Sequence, residues 1–382
     1  MVRTLVTAGG TASVPETFGV RTVGVEEEYM LVTPDGEPAA QSPVVLWLAA
    51  VGTSDDAGEL EKELKQEQVE TSTRPHTDLA ELLQELRSAR QRVDAVARDA
   101  GVRIAALGTV PQVVHSTVDP HEERYQRMLA RFALVAREQL TCGCHVHVSV
   151  ADDDEGVVVL DHLTRWTSVL LALSTNSPFW QGADSGYASY RSQVWGRWPT
   201  AGPTAPFGDG ASYRSTIDGL LATGIILDDG MIYFDARLSQ RYPTVEVRVA
   251  DVCLEAADAA LQAALVRALA DTAVRIPHDP QPPRLELLRA ATWQAGRTGL
   301  AGDLVSPLTW RPAPAMDVVA QLVDHVRDAL AANGDLAIVE HQLAELARRG
   351  TGAAEQVSWR KDGADDAAVV RHAVQRTIGQ PA

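Results

Sequence analysis

Apolar and polar residues alternate along several short stretches of the chain, the pattern of strands with one buried face. The clearest is Gly24-Val25-Glu26-Glu27-Glu28-Tyr29-Met30-Leu31-Val32, which the turn Thr33-Pro34-Asp35-Gly36 closes. A short apolar run between polar residues adds a buried strand. The pattern predicts strands, in chain order, at 24–32, 102–107, 141–150, 231–238 and 243–250.

Elsewhere the apolar residues recur at helical spacing. The run from Leu79 to Val96 is the strongest, with Thr77 able to cap its start and Gly101 able to end it. The same spacing predicts helices at 77–101, 121–140, 157–174, 254–275, 284–297, 315–332 and 336–349. An acidic turn at 152–156 precedes the third of these. The Gly/Pro/Trp-rich segment 176–210 is too long for an idle connection and predicts a functional loop.

The order of these elements favours an α+β fold. Strands dominate the first two thirds of the chain and helices the last third, without the regular alternation of a doubly wound sheet. We therefore expect a mainly antiparallel sheet with helices packed on one face. Residues 1–19, rich in Ala, Gly, Thr and Ser, predict a flexible lead-in, and residues 20–382 predict a single domain without internal repeats.

Charge and composition narrow the class of function. The 382 residues carry a formal net charge of −17, which argues against binding to nucleic acid and against docking on an anionic membrane. No apolar run is long enough to span a bilayer. Three cysteines without a secretion signal predict a reduced, cytoplasmic protein without a disulfide framework.

The first strand carries the first candidate chemistry. Glu26 and Glu28 share one face, while Val25 and Tyr29 share the other. Neighbouring carboxylates repel each other, and a divalent cation such as magnesium would remove the conflict. A solvated strand face with exposed glutamates is the alternative.

The strand 141–150 places two histidines together. His145 and His147 lie on one face with Gly143 and Ser149, which predicts a polar site that the backbone approaches closely. The other face carries Cys142 and Cys144. A flat strand cannot bring both cysteines and both histidines to one ion, so we expect small core cysteines rather than structural zinc.

The strand 243–250 repeats this arrangement. Glu246 and Arg248 share the face opposite three valines, which fits a metal-binding glutamate beside an arginine that neutralises a phosphoryl group. A cross-strand salt bridge on a solvated face is the alternative.

Glu63 and Glu70 form a second acidic pair. They would lie on opposite faces of a flat strand, so a bulge or bend near Lys65-Gln66 is needed for both to reach one site. The alternative is an acidic surface segment. The Gly-x-x-x-x-Gly-Lys loop of P-loop nucleotide sites is missing from the sequence.

Six motifs in a fixed order resemble the bacterial glutamate–cysteine ligase type 2 family, ATP-dependent carboxylate–amine ligases of the glutamine synthetase superfamily. They are Gly-Val-Glu-Glu-Glu-Tyr at 24–29, Gln68-Val69-Glu70, Cys-Gly-x-His-Val-His-Val at 142–148, Asn176-Ser177-Pro178-Phe179-Trp180-Gln181-Gly182, Gly186-Tyr187-Ala188-Ser189-Tyr190-Arg191 and Val245-Glu246-Val247-Arg248. The motifs cover roughly residues 20–255. Two departures are Cys144, at a usually aliphatic position, and the basic segment Ser72-Thr73-Arg74-Pro75-His76.

The resemblance implies a fold and a set of roles. The sheet would form a cup like the glutamine synthetase catalytic domain, with two or three magnesium or manganese ions on its floor and ATP at one end. His147 would lie near the nucleotide phosphates, Arg248 would hold the transferring phosphoryl group, and Arg191 would bind a substrate carboxylate or phosphate. The implied metal ligands are Glu26, Glu28, Glu63, Glu70, His145 and Glu246.

The resemblance also implies a reaction, in which ATP activates the carboxylate of glutamate as an acyl phosphate and the amine of cysteine displaces phosphate. A related ligase with another amine acceptor and a guanidino-type kinase are the alternatives on the same scaffold. A catalytically silent binding protein would have lost metal ligands, and a metal-dependent hydrolase would not need ATP. We expect small-molecule substrates and a homodimer.

Overall fold

The structure, a computed structural model, describes residues 19–51, 60–276 and 282–380. The predicted lead-in therefore lies outside the described residues, except for Gly19. The strands are β1 (Val23–Val32), β2 (Leu60–Lys62), β3 (Gln68–Ser72), β4 (Arg103–Ala105), β5 (Gly143–Ser149), β6 (Phe179–Trp180), β7 (Ala183–Asp184), β8 (Ala236–Leu238), β9 (Thr244–Asp251), β10 (Asp303–Val305) and β11 (Pro312–Pro314).

The helices occupy mainly the second half of the chain. They are α1 (Ser42–Val51), α2 (Leu79–Asp99), α3 (Glu123–Phe132), α4 (Leu134–Arg137), α5 (Asp153–Leu163), α6 (Thr167–Ser174), α7 (Arg191–Trp195), α8 (Gly210–Ala222), α9 (Ala256–Ala273), α10 (Leu285–Thr298), α11 (Ala315–Asn333), α12 (Leu336–Arg349), α13 (Gly352–Lys361) and α14 (Asp366–Thr377).

Seven strands form one antiparallel sheet in the order β2-β3-β1-β5-β9-β8, and β4 pairs with the second half of β1. Each pairing in this sheet is antiparallel. The pairing of β5 with β9 contains a register shift: Cys144 lies opposite Ala250, but Val146 lies opposite Val247. The extra residue on β9 is therefore a β-bulge at Arg248 and Val249. The predicted α+β class with an antiparallel sheet is confirmed.

The two faces of the central strands differ as the alternation predicted. Val25 of β1, Val146 of β5 and Val247 of β9 lie in the main hydrophobic core. Buried side chains of α2, α5, α6, α9 and α11 belong to the same core and cover this face. The opposite face carries the acidic and histidine side chains and is the floor of a cavity.

Three predicted helices differ in their ends. Asp78, not Thr77, caps α2, because its carboxylate accepts hydrogen bonds from the amides of Ala80 and Glu81. The predicted helix 121–140 breaks at Ala133, which has a φ of +49°. The acidic turn 152–156 is instead the start of α5, where Asp152 is the cap and negative charge is favourable beside the helix N-terminus.

Other elements were not predicted. These are α1, α7 within the long loop, α8 within a region left unassigned, α13 and α14 near the C-terminus, the strands β2 and β3, and the hairpins β6–β7 and β10–β11. Among the described residues no single helix is long and apolar enough to cross a membrane, and α5 with α6 satisfies length and hydropathy only as a pair bent by 69°.

Candidate active site

A cavity of about 1560 Å³ lies on the polar face of the sheet. Its floor is built from β1, β3, β5 and β9, and its walls come from α2, α3 and the segment 239–244. The cavity therefore opens above the strands whose alternation suggested chemistry.

Glu26 of β1 lies between the two histidines of β5. Its carboxylate is 3.2 Å from His145 Nδ1 and 3.1 Å from His147 Nε2. Burial alone would raise the pKa of Glu26, but the hydrogen bonds and charge of the two histidines hold it well below its usual range. Burial and the charge of Arg248 lower the pKa of His145, which favours the neutral imidazole that a metal ion requires.

The carboxylates of Glu28, Glu63 and Glu70 form a cluster at the corner between β2 and β3. Glu28 of β1 is paired with Glu70 on the neighbouring strand β3. The Glu28 carboxylate accepts a 2.6 Å hydrogen bond from the main-chain amide of Gly143. The chain turns at Lys65-Gln66, which brings Glu63 back to Glu70. Burial, followed by the charge of Glu28, raises the pKa of Glu63 to about 7. Burial and Glu63 raise that of Glu70 well above its usual value. The predicted bend is therefore present.

Glu246 is held by two arginines. Arg237 of β8 donates to its carboxylate at 2.7 Å, and Arg248 is paired with it directly. Burial opposes ionisation, but the charges of Arg248 and Arg237 lower the pKa of Glu246 to about 2. Within the part of the chain that the structure describes, the buried Arg248 Nε has no hydrogen-bond partner, so this guanidinium retains a free donor at the floor.

Candidate ligand atoms converge in three overlapping groups, each within 4.8 Å. Among the described residues, the buried Nε2 atoms of His145 and His147 make no hydrogen bond of suitable geometry, although His147 Nε2 lies 3.1 Å from the Glu26 carboxylate. Oxygen-rich groups completed by imidazole nitrogen fit divalent ions such as magnesium or manganese. The groups are Glu26–Glu70–His145, Glu26–His147–Glu246 and Glu28–Glu63–Glu70. All six predicted metal-ligand positions thus meet on one floor, and His147 joins them.

Arg191, which the resemblance implies binds a substrate carboxylate or phosphate, lies next to Arg248. It is 2% exposed, and its guanidinium donates to the main-chain oxygens of Arg248 and Val249 at 3.3 Å, the two residues of the β9 bulge. Its guanidinium lies on the cavity side of β5, against Gly143, and is 5.7 Å from the centre of the Trp195 ring. These contacts support the main chain that carries Arg248. Direct binding of a substrate by Arg191 stays a prediction.

The cysteines lie behind the sheet. Cys144 belongs to the main core, and Cys142 belongs to a second core built around Tyr29 and Leu31. Each is a buried free thiol. The described residues place neither cysteine in the candidate metal groups.

One end of the cavity has an aromatic wall that sequence reasoning missed. Tyr125 of α3 faces a cluster in which Tyr233 lies 4.8 Å from Trp195 and 5.4 Å from Trp198, measured between ring centres. Arg124 lines the same end and is paired with Asp228. These residues come from distant parts of the chain and follow no single strand, so no local periodicity marks them.

The basic segment that departs from the family pattern lines the other end. Arg74 and His76 both contact Glu85 of α2. Tyr242 stands edge-on to His147, with 6.4 Å between ring centres, and Arg241 lies beside it. Two arginines, Arg74 and Arg241, and the imidazole of His76 therefore line this mouth of the cavity.

The matching protein-family model is glutamate–cysteine ligase family 2, which covers residues 22–375. The chain belongs to this family. Similar proteins include the provisionally named glutamate–cysteine ligases 2-1 of Streptomyces avermitilis and 2 of Streptomyces coelicolor. The first is 50% identical, over 88% of this chain and 94% of that protein. The second is 49% identical, over 88% and 93%.

Solved structures share the fold of this family member. A glutamate–cysteine ligase from Francisella tularensis, determined in complex with AMP, has a TM-score of 0.68 at 15% identity, covering 94% of this chain and 89% of that one. A bifunctional glutathione synthetase from Pasteurella multocida gives 0.70 at 16% identity, and this chain spans 52% of it. The resemblance inferred from the motifs, the predicted fold and the predicted ligase class are confirmed.

Proposed function

We propose that this family member joins the carboxylate of glutamate to the amine of cysteine, using ATP and releasing ADP and phosphate. The observation that carries the proposal is the convergence of five glutamates, two histidines and Arg248 on one cavity floor. A carboxylate is a poor electrophile. Transfer of the terminal phosphoryl group to it gives an acyl phosphate, from which the amine displaces phosphate.

Charge is the obstacle that such a site must overcome. An anionic carboxylate must approach the triphosphate above a floor where five carboxylates face two arginines. Bound magnesium or manganese would neutralise the phosphate oxygens and the glutamates together. The ions would be held by Glu26, Glu28, Glu63, Glu70, His145 and Glu246. Nε2 of His147, 3.1 Å from the Glu26 carboxylate, would add a further ligand atom.

Arg248 is the proposed catalytic cation. Its guanidinium lines the cavity, is paired with Glu246 and has an unpartnered Nε–H. A planar fork can grip two oxygens of the phosphoryl group in transit, which a single ammonium cannot do. Arg191 supports this role, because its guanidinium donates hydrogen bonds to the main-chain oxygens of Arg248 and Val249.

We place the nucleotide towards the mouth with Arg74, His76 and Arg241, where His147 would reach its phosphates. The aromatic end, with Tyr125 and Tyr233, remains for the amino-acid substrates. The side chains favour this order, because the guanidinium groups of Arg74 and Arg241 can bind phosphate oxygens at the first end, whereas aromatic rings line the second. The cytoplasmic location and the homodimer stay predictions from the sequence.

The test is an ADP-release screen of amino acids, singly and in pairs, with ATP and magnesium. We expect ADP in stoichiometric amount with peptide product when glutamate and cysteine are both present. Glu28→Gln is expected to lose this reaction. A faster reaction with another amine would identify the related ligase with that acceptor. AMP with pyrophosphate, ADP without any carboxylate, or a phosphorylated guanidine would contradict the proposal.

A further inference from the structure

The middle glutamate of the first motif faces away from the cavity. Glu27 is fully buried, on the core side of β1 between the two candidate ligands Glu26 and Glu28. Its carboxylate accepts hydrogen bonds from Arg90 Nε at 3.0 Å, from Arg90 Nη2 at 2.5 Å and from the hydroxyl of Tyr29 at 2.8 Å. The reaction proposed above gives this side chain no role.

Every N–H group of the Arg90 guanidinium donates a hydrogen bond. Arg90 lies on α2, is 1% exposed, and has two contacts with Glu27. Its remaining donors reach the main-chain oxygens of Cys253 at 2.7 Å, Leu254 at 2.8 Å and Thr377 at 3.4 Å. Five N–H groups thus find five acceptor contacts, the full capacity of an arginine.

These contacts join two strands that are not neighbours. Cys253 and Leu254 come two and three residues after the end of β9, and Glu27 lies on β1, with β5 between the two strands. Backbone pairing between β5 and β9 is irregular between Cys144 and Val146, because of the bulge at Arg248 and Val249. An irregular ladder specifies the position of β9 less strictly than a regular one.

We propose that the Glu27–Arg90 pair is a positioning device, which fixes the end of β9 relative to β1 and so sets the spacing of the cavity-facing ligands. Glu26 and Glu28 flank the pair on one strand, and Glu246 stands on the other. The inference rests on the proposed function in that the floor holds divalent ions. It assigns no contact with substrate to either residue.

The alternative is that the pair serves stability alone. Breaking a buried ion pair leaves an uncompensated charge and strongly destabilises the folded state. A loss of stability would therefore not distinguish the two roles. Metal affinity does distinguish the two roles, because it depends on the positions of Glu26, Glu28 and Glu246 in the folded protein.

The experiment measures Mn²⁺ binding by electron paramagnetic resonance, without ATP or amino acids, alongside thermal unfolding. Arg90→Lys keeps the charge but has at most three donors and no fork. The matched control is Arg349→Lys, whose arginine grips Asp258 with two hydrogen bonds between helices α12 and α9. We expect Arg90→Lys to weaken Mn²⁺ binding by about 10-fold or more, and Arg349→Lys to change it by less than 2-fold at a similar loss of thermal stability.

A second variant tests the inference in case Arg90→Lys does not fold. Glu27→Leu with Arg90→Met removes both charges and leaves no buried ion unpaired, a replacement that is often neutral for stability. It should fold and still bind Mn²⁺ about 10-fold more weakly. Parent-like Mn²⁺ binding in Arg90→Lys or in the double variant, or equal loss in Arg349→Lys, would overturn the inference. The proposed function fails separately, if the parent binds Mn²⁺ but forms no ADP with any pair of amino acids.

Discussion

At the scale of single residues, strand alternation predicted which side chains form the cavity floor, but it could not predict the residues packed around that floor. Glu26, His145 and Glu246 follow from a period of two, a rule that needs only neighbouring residues. Arg191 sits in a long loop, where the direction of a side chain depends on packing against distant residues. The sequence therefore marked Arg191 as polar and important but not as buried against the β9 bulge.

Arg248→Lys tests the residue proposed to hold the transferring phosphoryl group. The charge remains, but the planar fork and the free Nε–H are lost. We expect kcat to fall by about 100-fold, which corresponds to about 2.7 kcal/mol of transition-state stabilisation. Steady-state ADP formation at saturating substrates measures the change.

The control for this variant is Arg103→Lys. Arg103 also binds a carboxylate through two nitrogens, those of Asp94, but outside the cavity. Its replacement should leave kcat within 2-fold of the parent. Equal rates for Arg248→Lys and the parent would remove Arg248 from the mechanism.

The cysteines give the second prediction at this scale. Cys142→Ala and Cys144→Ala should keep the metal content and most of the activity, because both thiols pack in the cores behind the sheet. Each change costs some packing energy in the folded state. Metal analysis of the purified variants decides the matter: loss of stoichiometric zinc from either one would place the cysteines in a metal site.

At the scale of elements, two local distortions shape the site. The corner at Lys65-Gln66 was predictable, because Glu63 and Glu70 cannot share a face on a flat strand. The bulge at Arg248 was not, since nothing in an alternating Val-x-Val-x-Val run marks an inserted residue. The acidic segment at 152–156 was misread for a related reason, because acidic residues suit both a turn and a helix start.

The β2–β3 corner predicts how stability depends on pH. Burial and mutual repulsion raise the pKa values of Glu63 and Glu70 in the folded state. The folded protein then binds protons more tightly than the unfolded chain. This contribution to stability is complete below the ordinary glutamate pKa of 4.5 and is lost as pH rises through about 7. Bound magnesium would replace those protons.

Urea unfolding from pH 5 to 8, in EDTA and in saturating magnesium, measures this effect. The stabilisation by magnesium should grow with pH across this range, because deprotonated carboxylates bind the ion. In Glu63→Gln with Glu70→Gln, the growth should disappear. A magnesium effect that is constant or declines with pH would contradict the assignment of these two glutamates.

At the scale of the whole molecule, the sequence predicted the architecture better than the cavity walls. Strand and helix periodicities sufficed for an antiparallel sheet with its helical layer. The aromatic end joins Tyr125, Trp195, Trp198 and Tyr233, which meet only after the chain has folded. Helices α13 and α14 also depend on packing that forms only in the folded chain. Val370 and Val374 of α14, for example, complete the core around Tyr29.

The central claim concerns the whole site: the acid substrate is activated by phosphoryl transfer before the amine attacks. Glutamate labelled with ¹⁸O in its side-chain carboxylate tests this most directly, with ATP, magnesium and cysteine, by mass analysis of the released phosphate. Collapse of an acyl phosphate leaves one carboxylate oxygen on phosphate, so we predict one ¹⁸O per phosphate, in equal amount with ADP. Unlabelled phosphate, or label in AMP, would contradict the account.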